Sequence, residues 1–108
     1  MSRFVMLYNS PIGAEEQVRQ SLEQGEADMQ EWTAWADRAG NALVDFGLPL
    51  GNGRIVTSRG SGPAESSIAG YSIVEAKDAD AAVAVVNGHP HLKNGSIEVH
   101  EALEIPGM

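Results

Sequence analysis

The chain of 108 residues contains no cysteine. This absence excludes disulfides, thiol nucleophiles, iron–sulfur clusters and cysteine-ligated zinc. It suits a reducing compartment, and a cytoplasmic location is the expectation. Basic residues are also scarce: seven Lys plus Arg stand against fifteen Asp plus Glu, for a formal charge of −8. Arg3, Arg19, Arg38, Arg54, Arg59, Lys77 and Lys93 are scattered along the chain. Nucleic acids and anionic membrane surfaces both select for clustered cations, so neither is an expected partner. No stretch approaches the roughly 20 apolar residues that cross a bilayer. The opening MSRFVMLYNSP lacks the long apolar core and small-residue cleavage site of a signal peptide.

Hydrophobic residues make up 43% of the chain, enough to argue against intrinsic disorder, and the length suits one domain spanning residues 1–108. Phe4-Val5-Met6-Leu7-Tyr8, closed by Asn9-Ser10-Pro11, reads as a strand that is apolar on both faces. Residues 15–24 fit either a short polar helix or an ordered loop. From 27 to 46, the spacing of Met29, Trp32, Trp35, Ala36, Ala39, Leu43 and Phe46 is helical. Asp28 and Glu31 form a capping-box-like start, and Gly47 then Pro49 form the stop. The β-branched run at 54–57 reads as a strand, and the Gly/Ser-rich stretch at 58–67 as a connection. A strand at 68–75, a helix at 79–87 capped by Asp78 and ended by Gly88, and a strand at 96–103 complete the chain.

The order is βαββαβ, so the expected fold is α+β and ferredoxin-like: a four-stranded antiparallel sheet with two helices on one face. Two helices cover only one side of such a sheet. The double-faced first strand therefore calls for a second copy packed sheet to sheet, with a folded-over 10–26 or 58–67 segment as the alternative.

Four stretches carry a family likeness. They are Phe4–Tyr8; Trp32-Thr33-Ala34-Trp35 with residues 42–50; Gly70-Tyr71-Ser72-Ile73-Val74-Glu75-Ala76; and Gly88-His89-Pro90-His91-Leu92 with Gly95-Ser96-Ile97-Glu98-Val99. In this order they resemble the YCII-related domain family in its DGPF-type branch. The resemblance implies a dimeric α+β barrel and, for activity, a small enzyme built around a His/Asp pair. Two departures weaken the second implication. The name-giving Asp-Gly-Pro-Phe stretch is Ser61-Gly62-Pro63-Ala64 here, and the first helix contains no histidine.

His89-Pro90-His91 is the most suggestive constellation. Read as an extended segment after a helix C-terminus, it places two imidazoles on one side, where the helix dipole favours the protonated ring. The plainer reading is one ring capping helix-end carbonyls and the other on the surface. Zinc would need a further ligand from His100, Asp45 or a glutamate, and nothing in the sequence calls for a metal or cofactor. Asp45, at the end of the expected helix, sits against the dipole and so is a candidate base or histidine-orienting acid, or simply an exposed acid. Tyr8 is a candidate hydrogen-bond donor to a cleft or a core ring with a satisfied hydroxyl. The 58–67 segment lacks the Gly-Lys-Ser/Thr ending of a P-loop, and no Gly-x-Ser-x-Gly elbow is present. Two functions follow as expectations: a homodimeric module that binds a small molecule or partner, and, alternatively, an enzyme using His89 or His91 with Asp45 and Tyr8 for acid–base chemistry.

Overall fold

The computed structural model describes residues 1–11, 26–93 and 95–107, so the expectation for 15–24 lies outside the described residues. Strand β1 (Ser2–Asn9) alternates strictly: Phe4, Met6 and Tyr8 are buried, while Val5, Leu7 and Asn9 are half-buried on the other side. It pairs antiparallel with β5 (Ile68–Ala76) and with β6 (Ser96–Glu101). Helix α1 (Glu26–Ala39) turns Trp35 into the core, with Trp32, Ala36 and Ala39 packed beside it, while Met29 points to solvent. The helix begins at Glu26, so Asp28 lies inside it rather than at its cap.

The helix is shorter than its periodicity suggests. Gly40 takes a φ of +55°, a left-handed conformation that ends α1 after Ala39. A single 3₁₀ turn (Gly40–Ala42) leads into β2 (Leu43–Asp45). Leu43 and Phe46 continue the three-and-four spacing by coincidence, and Leu43 pairs with Val74 of β5 instead. Asp45 is therefore a strand residue, opposite Ile73, and not a helix-end carboxylate.

The sheet order is β2-β5-β1-β6, all antiparallel, which is the ferredoxin-like arrangement expected. Its second strand in chain order is β2, not the 54–57 segment. That segment does form a strand, β3 (Arg54–Thr57), but it pairs with β4 (Gly60–Pro63), which arises within the expected connection. The two make a separate hairpin closed by a two-residue loop at Ser58-Arg59, with Gly60 at φ +132°.

Helix α2 (Ala79–Val86) is capped as expected: the Asp78 carboxylate accepts the Ala81 N–H at 2.8 Å. Gly88, at φ +82°, ends it and turns the chain back. Both helices press on the Phe4, Met6, Tyr8 and Val74 side of the sheet, where Ala82 and Val86 join the core. On the opposite side Val5 and Leu7 face Ile73 and Tyr71, flanked by Arg3–Glu75 and by Glu98 and His100. No described helix covers this face. Among the described residues no helix is long and apolar enough to cross a membrane.

Candidate functional site

His89 follows the Gly88 turn, its own N–H bonded to the Val86 carbonyl at 3.0 Å. Residues Pro90–Lys93 form a 3₁₀ turn, so the His-Pro-His segment is coiled rather than extended. Both imidazoles point inward: His89 is 2% exposed and His91 5%. Neither lies on the surface. His89 is held between two indoles, with Trp32 and Trp35 each 4.4 Å from it centroid to centroid. Trp35 is fixed in turn by Nε1 donating to the Val85 carbonyl at 3.0 Å.

A chain of hydrogen bonds runs through His89, and its two ends fix every proton in it. The His91 backbone N–H donates to His89 Nδ1 at 3.0 Å, so Nδ1 must be unprotonated. At the far end, Ser72 Oγ donates to the Phe46 carbonyl at 2.5 Å. Ser72 Oγ therefore accepts from the Tyr8 hydroxyl at 2.7 Å, and Tyr8 Oη accepts from His89 Nε2–H at 3.2 Å. His89 is thereby the neutral Nε2–H tautomer. Its pKa is lowered to about 4, first by burial and then by the charges of His91 and Arg38. This reverses the sequence expectation that the helix dipole would favour the imidazolium, because desolvation outweighs it here. Tyr8 is pushed up to about 12 by burial, partly opposed by its bond to Ser72.

His91 uses its other side. Its Nε2 donates to the Asn9 carbonyl at 2.8 Å, tying the 3₁₀ turn to the end of β1. Gly95 makes this possible, since a Cβ there would strike both the Asn9 carbonyl and His91 Nε2. The His91 ring stacks edge-on to Tyr8, 5.3 Å away.

Three of the four sequence candidates, Tyr8, His89 and His91, therefore come together, and Asp45 does not join them. The Asp45 carboxylate accepts the Gly47 N–H at 2.8 Å in the turn after β2, and no hydrogen bond links it to either ring. His100 is on the open sheet face, bonded to Glu98 at 3.0 Å. Among the described residues no group of three or more His, Asp or Glu is placed to hold a metal. Ser72 is a part of the site that residue-type reasoning missed. The strand alternation contained a signal for Ser72: it shares a face with Val74 and Ala76, where an inward hydroxyl needs a partner.

The rim of this cluster is aromatic. Trp32 is half-buried, and its ring meets Phe46, 43% exposed, at 6.1 Å edge to face. A shallow depression of about 340 Å³ lies elsewhere on α1, lined by Met29, Gln30, Thr33, Ala34 and Asp37, none of which belongs to the cluster.

An α+β protein of ferredoxin-like topology, with a buried histidine pair between sheet and helices, is the class that fold and site define. Within it, the model of the YCII-related domain matches residues 4–106, and the chain belongs to that family. No curated protein matches the chain.

Proposed function

We propose that the protein is a homodimeric binding module, with the Trp32–Phe46 rim as the floor for a small, flat, apolar ligand. The observation that carries this reading is the closure of the hydrogen-bond chain at both ends by backbone groups. From the His91 N–H to the Phe46 carbonyl, every proton is committed to an internal acceptor. A group serving as general base needs a free lone pair aimed at substrate. His89 has none; His91 donates its Nε2–H to Asn9, which leaves its lone pair on Nδ1 of a ring only 5% exposed. The chain instead stiffens the floor beneath Trp32, an aromatic surface of the sort that recognises planar ligands.

The second copy in this proposal is supported by the open sheet face. Val5, Leu7, Tyr71 and Ile73 form an apolar strip bordered by charge, on a sheet whose described helices both lie on the other side. Packed face to face about a two-fold axis, two such strips bury one another.

The acid–base alternative, with Asp45 serving His89 or His91, has the Tyr8–His89 contact in its favour and the separate bonding of Asp45 to Gly47 against it. Fluorescence titration with anilinonaphthalene sulfonate separates the two readings. Trp32→Leu and Phe46→Ala should abolish dye binding, while Tyr8→Phe, which cuts the hydrogen-bond chain, should retain it. Loss of binding in Tyr8→Phe with binding intact in Phe46→Ala would move the site to the polar cluster and favour the enzyme.

A further inference from the structure

The strand register arranges the open face of the sheet in rows, and charged groups fall at fixed places in them. One row runs Asp45, Ile73, Val5, His100 across β2, β5, β1 and β6. Residues directly opposed on neighbouring strands share a face of the sheet. At β2 the side is set independently. The Phe46 ring meets Trp32 of α1, so Asp45, one residue earlier, faces away from the helices. Towards the start of β1 the next row holds Glu75 beside Arg3, an ion pair at 3.9 Å. Towards its end the next row holds Tyr71, Leu7 and Glu98, with Gly47 beside Tyr71 on the β2 side.

These rows are self-complementary. A two-fold axis parallel to the strands, placed between β5 and β1, keeps each row at its height and reverses its order. It lays β2 of one copy over β6 of the other, and β5 over β1. Ile73 then meets Val5, Tyr71 meets Leu7, Glu75 meets Arg3 and Asp45 meets His100, each twice. Glu98 falls over Gly47, where no side chain opposes it. A two-fold axis across the strands also stacks the sheets, but it exchanges their ends. Centred on the same apolar strip, it sets Arg3 over Asn9, Glu75 over Ile68 and Asp45 over Gly47. Only the axis along the strands gives Arg3, Glu75 and Asp45 each a group of opposite sign.

We infer that a second copy docks on this face about the axis along the strands, so that each His100, already bonded to Glu98 at 3.0 Å, receives Asp45 of the other copy. The inference rests on the proposed sheet-to-sheet dimer and fixes its orientation. Two carboxylates then flank one imidazole and favour its charged form, with a donor on each nitrogen. The Glu98–His100–Asp45 cluster is incomplete in one chain, where Asp45 and His100 sit on opposite edges of the sheet. It is completed twice when the same face meets itself, as an isologous contact requires.

The absence of cysteine allows a clean test in the full chain. One pool carries Asp45→Cys and the other His100→Cys, so any crosslink joins two molecules. Stacked sheets lie about 10 Å apart, within reach of a short bis-maleimide, whereas three strand spacings add about 14 Å of sideways offset between like positions. After subunit exchange the mixed pools should give the 45-to-100 crosslink as the main product, and each pool alone should give little. Crosslinks within each pool alone would place the axis across the strands and overturn the inference. The charges provide a second readout. Arg3→Glu and Glu75→Arg should each weaken self-association about tenfold, and an equimolar mixture of the two should dimerise as the wild type does. Failure of the mixture to recover, or absence of the 45-to-100 crosslink in a chain that sediments as a dimer, would overturn this orientation and leave the sheet dimer standing. A wild-type chain that sediments as a monomer would overturn both.

Discussion

The Tyr8 hydroxyl stands between His89 and Ser72, accepting from His89 Nε2 at 3.2 Å and donating to Ser72 Oγ at 2.7 Å. Tyr8→Phe removes that oxygen from a buried place and leaves the His89 N–H without an acceptor. Leaving a buried donor unpaired costs about 1–3 kcal/mol. Urea denaturation should show a loss of that size for Tyr8→Phe. Ser72→Ala should cost a similar amount, since it deprives Tyr8 of its acceptor. The double variant should cost less than the two losses together, because both changes break one chain. Simple additivity would show that the chain does not act as a unit.

The same chain sets an acid limit. His89 titrates near 4 in the folded protein, against an ordinary value of 6.5. Below 6.5 the unfolded chain takes up a proton that the native ring refuses, so stability falls as the pH drops from about 6.5 towards 4. The full loss is on the order of 3 kcal/mol. A pH series of denaturation curves should show this slope, and His89→Gln should flatten it. Tyr8 acts at the opposite end. Its pKa is raised to about 12, so the stability it contributes is present below about 10 and is lost as the pH climbs through 10 to 12. A nitrogen NMR spectrum should find the His89 proton on Nε2 at neutral pH; a proton on Nδ1 would contradict the hydrogen-bond directions.

Two glycines hold close approaches that no side chain can share. A Cβ on Gly95 would collide with the Asn9 carbonyl and with His91 Nε2. Gly47 combines φ +79° with a position where a Cβ would strike the Tyr71 carbonyl. Gly95→Ala and Gly47→Ala should each destabilise by about 2 kcal/mol or more. Gly62→Ala, on the open hairpin with nothing near its would-be Cβ, serves as the matched control and should change stability by at most about 0.5 kcal/mol. Thermal melts rank the three.

Much of the fold was legible in the sequence because it rests on local signals. A short apolar run closed by Asn9-Ser10-Pro11 marked β1, alternation marked β5, and the Asp78 cap with Gly88 bounded α2. The misreading at α1 has a local cause too. Leu43 and Phe46 fall at helical spacing after Ala39, and periodicity cannot show that Gly40 has left the helical region. That one error displaced Asp45 from a strand to a helix end, and with it the acid–base partnership. The β3–β4 pairing was missed because β4 is Gly-Ser-Gly-Pro, a composition that reads as loop. The site was legible as residue types and not as environment. His89 and His91 stood out, but their burial against Trp32, Trp35 and Tyr8 depends on how α1 and the turn after α2 meet above β1.

The sheet face provides the most direct test of the account. Val5, Leu7, Tyr71 and Ile73 are an apolar strip without a described helix over them, and the account covers them with a second copy. Sedimentation equilibrium of the wild-type chain at micromolar concentration should return twice the 11.4 kDa chain mass. Leu7→Glu/Ile73→Glu should return the single-chain mass with the far-ultraviolet spectrum intact. A wild-type chain that sediments at 11.4 kDa would contradict the account.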